Sequence, residues 1–489
     1  MEELSDNLEQ NHLAAKQRVA KNVLALSASR VVTLVLGIAI TAWLTRTLEP
    51  SFYGILGFGA ALVSYFSLLV KFGFDILGAR ELARRPGDLT YLSGSITTLK
   101  LILSVLGYVG FLLAVLLLPK SILFKQILAI QGLLLFGLAI SLEWVFVGME
   151  RMGTLAVRNI VVSMVHLGSL VIFVHDPSDV LFAAAFSVAA VFVGNLWIYA
   201  RFRSVAGKLA IQIDLSGWKK LIRPATPIAA SSFMVAIYYN LDQLMIGLMM
   251  GEADVGFYTA GYKVLAASLI PAQILGQSFF PRLSSVWGNQ DLMASSSRGL
   301  SKAMANVGLP IMVGGFLLAE PLLLLLAGNA YAAGVPALAI LMVNGGFVYI
   351  NMSLGKPLLA WNLQRSYFYC VGFGALLNLL LNALLIPPFG IEGAAVATLL
   401  SEFGVLIGLL IVFMKAVRSF PISLWVRGLC AALIGVGGVI VLLESLGISA
   451  LVAGLITLIT YPVMAILFRT INKSDFSGML GAIHDKWQG

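Results

Sequence analysis

Residues 238–263 read YYNLDQLMIGLMMGEADVGFYTAGYK. An apolar helix carrying Asn240 and Asp242 runs into a tight turn of Gly251, Glu252, Ala253 and Asp254. A second apolar helix, carrying Lys263, follows. Charges inside helices this hydrophobic are costly, and they face a protein interior or a wet cavity. The stretch has a counterpart at residues 44–59, LTRTLEPSFYGILGFG, again helix, short turn, glycine and aromatic-rich helix. Gly54 and Gly256 are 202 positions apart, and so are Arg80 and Arg282. One offset serving two landmarks makes the second half a copy of the first. The expectation is a duplicated helical bundle with a shared central cavity.

Composition sets the medium. The 489 residues are 59% hydrophobic and 11% charged, and mean hydropathy is +0.95. A soluble domain carries about 25% charge. The apolar runs are numerous and often reach about 20 residues, the length that crosses the hydrocarbon of a bilayer. A spanning chain must satisfy its backbone internally, as a helix bundle or a closed barrel. Continuous rather than alternating runs select helices. The fold class expected is an all-α multi-pass membrane protein of about 14 transmembrane helices, two six-helix lobes related by pseudo-two-fold symmetry plus two extra C-terminal helices.

The first six spans fall near 24–46, 52–72, 94–118, 123–147, 157–175 and 178–200, and the next six near 225–250, 255–280, 300–327, 334–354, 366–386 and 392–414. Two more lie near 424–443 and 447–468. The domains follow: an N-lobe at 1–202, a cytoplasmic amphipathic linker at 203–222, a C-lobe at 223–416, and spans thirteen and fourteen with a tail at 417–489. The linker holds LSGWKKLIR (215–223), with Trp218 at the membrane interface. Both lobes start from the cytoplasm, so they are parallel repeats with substrate between them.

Orientation follows from the basic residues. With the N-terminus in the cytoplasm, 26 of the 32 Lys and Arg fall on that side, three fall outside (Arg46, Lys120, Lys125), and three lie within spans (Arg30, Lys100, Lys263). That asymmetry fixes cytoplasmic N- and C-termini. The net charge of +9 is thereby a matter of topology, and no nucleic-acid partner is inferred. The first 22 residues are polar, and the first apolar run is too long for a cleaved signal. Cys370 and Cys430 lie in apolar runs and read as packing residues. There is no nucleophile elbow, phosphate-cradling loop or metal-ligand cluster, and the outer loops, HDPSD (175–179), GEAD (251–254) and PPFGIEG (387–393), are short. An enzyme is not expected.

The charges inside the spans carry what chemistry there is. Arg30 and Lys100 each lie about seven residues into a span, roughly 10 Å deep. Each has two readings: snorkelling to the interface, or binding an anionic head group. Lys263 is roughly 13 Å below the outer turn, which strains snorkelling and points to the cavity. Arg80 and Arg282, related by the repeat, lie at the cytoplasmic mouth, where topology alone also places basic residues. The acidic set is Glu143, Asp242 and Glu402, each a partner for a basic neighbour or a coupling group. Asn240 and Asp242 flank Leu241 and cannot share a helix face. One bonds a neighbouring helix while the other faces the cavity. His166 reads as a packed residue rather than a proton relay.

Four segments carry a resemblance: GFDILGARELAR (73–84), EWVFVGMERM (143–152), the 240–263 hairpin, and NLLLNALLIPPFGIEGAAVATLLSE (378–402). The chain resembles polysaccharide-type flippases for lipid-linked oligosaccharides, such as O-antigen repeat-unit translocases, of the multidrug/oligosaccharidyl-lipid/polysaccharide exporter superfamily. Ser29, Arg30 and Val31 also resemble the start of the related peptidoglycan-precursor flippase, where the arginine lines the cavity. The resemblance implies alternating access in a prokaryotic plasma (inner) membrane and a substrate of undecaprenyl-pyrophosphate type bearing a short glycan. It also implies membrane lipids, polysaccharide polymerase and chain-length proteins as partners. No cofactor is expected. Movement would be driven by the membrane potential or by coupling to H+ or Na+ through Asp242 or Glu402. The rival readings are a multidrug or cation antiporter of the same superfamily and a membrane enzyme of polysaccharide assembly.

Overall fold

A computed structural model describes residues 29–471. The two tails, including Lys473, Lys486 and residues 24–28 of the first expected span, lie outside the described residues. Every regular element described is helical. Among the described residues, twelve segments are long and apolar enough to cross a membrane. One of them, Gln364–Val417, has 54 residues and would measure about 80 Å if straight, far more than the ~30 Å of hydrocarbon. It is two spans folded back at Gly390, whose φ of 60° and ψ of −138° interrupt the helix. Leu215–Met249, another 35 residues, carries most of the seventh expected span. The structure thus keeps the architecture of about fourteen spans.

The chain divides into two compact units, Met1–Asn240 and Leu241–Gly489. The first contains α1 (Ser29–Thr47), α2 (Pro50–Lys71), α3 (Phe74–Arg84) and α4 (Leu89–Leu117). Span four is three pieces, α5 (Ile122–Gly132), α6 (Leu134–Ala139) and α7 (Glu143–Gly148); α8 (Met152–Phe173) and α9 (Val180–Ala206) follow. Helix α10 (Leu215–Met249) starts in this unit and ends in the next. The second unit continues with α11 (Glu252–Ser268), α12 (Ile270–Ser285), α13 (Gln290–Leu317), α14 (Ala319–Ala327) and α15 (Val335–Ala360). It ends with α16 (Gln364–Val417), α17 (Ile422–Ala432), α18 (Val439–Ser445) and α19 (Ala450–Leu467).

Each unit is packed inside and greasy outside. In the first, Phe74, Trp144, Phe146, Phe202 and Trp218 form one buried cluster. In the second, Tyr349, Trp361, Phe413 and Trp425 belong to another. Leu117, Ile122, Leu458 and Ile459 are more than 70% exposed. Such apolar ridges would aggregate in water and are solvated by lipid tails.

Two local features depart from what the sequence leads one to expect. The expected outer loop 387–393 shrinks to a bend, because Gly390 alone takes the left-handed backbone and Pro387 and Pro388 stay helical. The amphipathic piece 215–223 is not a separate element but the first turns of α10. Residues 207–214 before it run along α4. The Gln212 amide donates to Thr98 Oγ1 (3.2 Å), Ser95 donates to Gln212 Oε1 (3.4 Å), and Tyr91 donates to Asp214 Oδ2 (2.9 Å). The Asp214 carboxylate also takes the Gly217 amide at 3.0 Å and the Ser216 hydroxyl at 2.7 Å. These donors, the Gly217 amide foremost, hold its pKa at about 2.

Candidate functional site

In the first unit the backbone turns at Phe72 and Gly73, both with positive φ, before α3 begins at Phe74. The turn puts Asp75 in the first turn of α3. Its Oδ1 lies 2.7 Å from the Lys100 ammonium on α4. The Lys100 side chain is 1% exposed, against 36% for Asp75. Ser93, Ser95, Thr97, Thr98 and Ser104 are buried on the same helix. Lys100 neither snorkels to the interface nor stands open to an anion: its charge is matched by a carboxylate that itself reaches the surface.

The second charged cluster forms where span four breaks. Residues 140–142 leave the helix and α7 restarts at Glu143. Glu143 Oε1 lies 3.0 Å from Arg158 Nη1 on α8 and accepts the Ser141 hydroxyl at 3.2 Å. Arg158 Nη2 donates to Asn195 Oδ1 on α9 at 3.2 Å. Asn195 Nδ2 in turn donates to the Gly137 carbonyl at 2.7 Å. Arg158, counted above with the cytoplasmic charges, is 12% exposed and belongs to this network instead. Arg30 is exposed on α1, next to buried Ser29, whose hydroxyl donates to Ala156 O on α8 at 3.0 Å. Arg80 is exposed, with Nε 3.4 Å from Glu81. His166 has a buried Nε2 without a hydrogen-bond partner among the described residues.

In the second unit Asp242 is 6% exposed. It is held entirely by neutral donors: Tyr258 Oη at 2.7 Å, Thr398 Oγ1 at 2.6 Å and Asn382 Nδ2 at 2.7 Å. Asn382 also donates to Asn378 Oδ1 at 3.0 Å, and Asn382 Oδ1 is buried with no hydrogen-bond partner among the described residues. Oxygens from α10, α11 and both arms of α16 therefore converge. Such a set suits a small hard cation or a proton held by the carboxylate.

Glu402, also buried, takes the Asn351 amide on both its side chain and its backbone carbonyl. Lys263 is exposed on α11, with no carboxylate within 4.0 Å among the described residues. Arg282 is exposed near the end of α12, and Asn240 is half-buried. The structure thus pairs Lys100 with Asp75 and Glu143 with Arg158 and builds Asp242 and Glu402 into amide-rich clusters; among the described residues Arg80, Lys263 and Arg282 make no hydrogen bond or ion pair to them.

An all-helical fold of many membrane-length apolar segments, with charges buried among its helices, is that of a multi-pass membrane protein. The chain belongs to the polysaccharide biosynthesis protein family, which matches residues 19–287, more than half its length. A putative O-antigen transporter of Escherichia coli (strain K12) is 22% identical over 402 residues, 79% of this chain and 94% of that one. A probable low-salt glycan biosynthesis flippase of Haloferax volcanii is 25% identical over 253 residues, about half of each chain. Among solved structures, the lipid II flippase MurJ in an inward closed conformation superposes with a TM-score of 0.72 at 14% identity, over 91% of this chain and 99% of that one. An inward-facing multidrug resistance transporter of the MATE family gives 0.63 at 16%, over 81% and 98%. At these identities the likeness is one of fold.

Proposed function

We propose that the protein is a flippase that carries a polyprenyl-pyrophosphate-linked oligosaccharide from the cytoplasmic to the outer leaflet of the plasma membrane by alternating access. The observation that carries this reading is membership of a polysaccharide biosynthesis family by a chain that folds as a multi-span transporter. The physics of the cargo agrees. Each glycan hydroxyl taken unsatisfied into hydrocarbon costs several kcal/mol, so the head group needs a polar path while its tail stays in lipid. Arg30, Arg80, Arg282 and Lys263 supply the positive charge for the diphosphate, and Lys100 joins them when Asp75 is displaced. Outward movement of an anion from a negative interior gains about 2.3 kcal/mol per charge per 100 mV. No catalysis is assigned, and both termini are cytoplasmic. Polymerase and chain-length proteins are partners that the pathway chemistry calls for.

Coupling to H+ or Na+ is assigned to Asp242. Both carboxylates lie beside a buried amide oxygen without a hydrogen-bond partner among the described residues, Asn382 Oδ1 for Asp242 and Asn351 Oδ1 for Glu402; the hydroxyl oxygens of Tyr258 and Thr398 on the Asp242 carboxylate favour that site. The deciding experiment deletes the gene and reads the leaflet on which lipid-linked glycan accumulates. Accumulation on the cytoplasmic leaflet supports a flippase. A lipid that remains unglycosylated or unpolymerised supports an enzyme, and unchanged glycan with altered efflux of cationic dyes supports an antiporter.

A further inference from the structure

Arg158 is gripped unequally from its two sides. Behind it, Asn195 is fixed by its own bond to Gly137 O and can present only an oxygen. In front stands Glu143, whose side chain is 40% exposed. A guanidinium is a planar fork of five donors suited to two parallel oxygens. Glu143 reaches this one through a single oxygen, Oε1 on Nη1. Arg158 Nε is buried with no hydrogen-bond partner among the described residues. It packs against Gly194, where a Cβ would lie 3.2 Å from it. Nη1 also donates to Asn159 Oδ1 at 3.2 Å. The resting pose still leaves Nε unused among the described residues, and the fork's carboxylate contact faces the surface. The Ser29–Ala156 bond also sets Arg30 and Arg158 on adjoining turns of two contacting helices.

From this geometry we propose that Arg158 is a second phosphate-binding residue of the transport path and that Glu143 is its exchangeable occupant. The incoming diphosphate displaces the Glu143 carboxylate and takes the guanidinium with more than one oxygen; Glu143 closes on Arg158 again when the head group leaves. The proposal rests on the flippase reading and adds to it a residue and an order of events. The competing role for the pair is a clip that fastens α7 to α8.

The test uses the whole protein in nanodiscs, with undecaprenyl diphosphate as probe and undecaprenol as the uncharged control. Glu143→Gln keeps the shape and one acceptor but removes the competing charge, and it is expected to tighten diphosphate binding about tenfold, the equivalent of ~1.4 kcal/mol. Arg158→Gln is expected to weaken binding by about tenfold or more, with Arg158→Lys intermediate and melting like the parent. The reversed pair, Glu143→Arg with Arg158→Glu, separates the two roles, because a clip works in either polarity and a phosphate ligand does not. Parent-like binding and transport by the reversed pair overturns the proposal. So do unchanged affinities in both single variants where Arg30→Gln or Lys263→Gln weakens binding, and that result leaves the flippase reading standing. Equal affinity of the parent for diphosphate and undecaprenol removes both.

Discussion

Asp75→Asn should destabilise the first unit far more than Lys100→Met does. The reason is the uneven burial of the pair. Lys100 is 1% exposed and its ammonium has Asp75 at 2.7 Å. Removing Asp75 leaves a buried charge without its counter-ion, which costs about 3–5 kcal/mol. Asp75 is 36% exposed, and solvent can rehydrate part of the gap, so a loss of about 3 kcal/mol is expected. Lys100→Met removes the costly buried charge and strands only a carboxylate that reaches solvent. Its expected effect is within about 1 kcal/mol of zero. Joining Asp75→Asn to Lys100→Met should then recover most of the loss, a coupling of about 2 kcal/mol. The assay is thermal and denaturant unfolding of purified protein in one detergent, with all four proteins of the cycle. Equal losses in the two single variants, or no recovery in the double, would show that Lys100 does not depend on Asp75. Transport adds a second reading: loss of flux in Lys100→Met at parental stability assigns the lysine to substrate.

The other predictions concern separate parts of the molecule. Tyr258→Phe deletes one of three short donors to Asp242 and should cost about 1.5–3 kcal/mol, while Asp242→Asn should abolish the dependence of transport on its coupling ion and leave membrane abundance unchanged. Arg30→Gln and Lys263→Gln should each lower flux without lowering abundance; normal transport by both removes them from the path. Gly390→Val forces a β-branched residue to φ 60° and should cost about 1–3 kcal/mol, read as lower abundance of folded protein. Asp214 has a depressed pKa of about 2, so its contribution is complete above the unfolded value of about 3.9 and is lost as pH falls through 2. Amide exchange of residues 207–217, corrected for intrinsic rates, should therefore be flat from about pH 4 to pH 9 and faster throughout in Asp214→Ala. A step near neutrality would refute the assignment.

Element type and order were readable because the apolar runs match the thickness of a bilayer and loop charge sorts by side. The ends of elements were harder. Whether Pro387 and Pro388 open a loop or sit within helical arms depends on one glycine's backbone angle, not on composition. The site was readable only as single charges. Asp75 is 25 residues from Lys100, and the two meet because of the turn at Phe72 and Gly73. Arg158 was missed because charge counting treats any arginine near a span end as topological. Asn378 and Asn382 did leave a signal: two amides four residues apart in an apolar helix share a face. That their face meets Asp242 is a fact of packing, which no single stretch contains.

The bend at Gly390 has a practical consequence. With two helical arms joined by one residue, the first ending in Pro387 and Pro388, this hairpin offers almost nothing for an antibody, a phage or an external protease to grip. In the orientation proposed here, a reporter peptide spliced at 389–391 would be expected to break the hairpin rather than mark it. The segment from His175 to Asp179, which ends one helix and starts another through its own aspartate bonds, is the better place to attach a surface label.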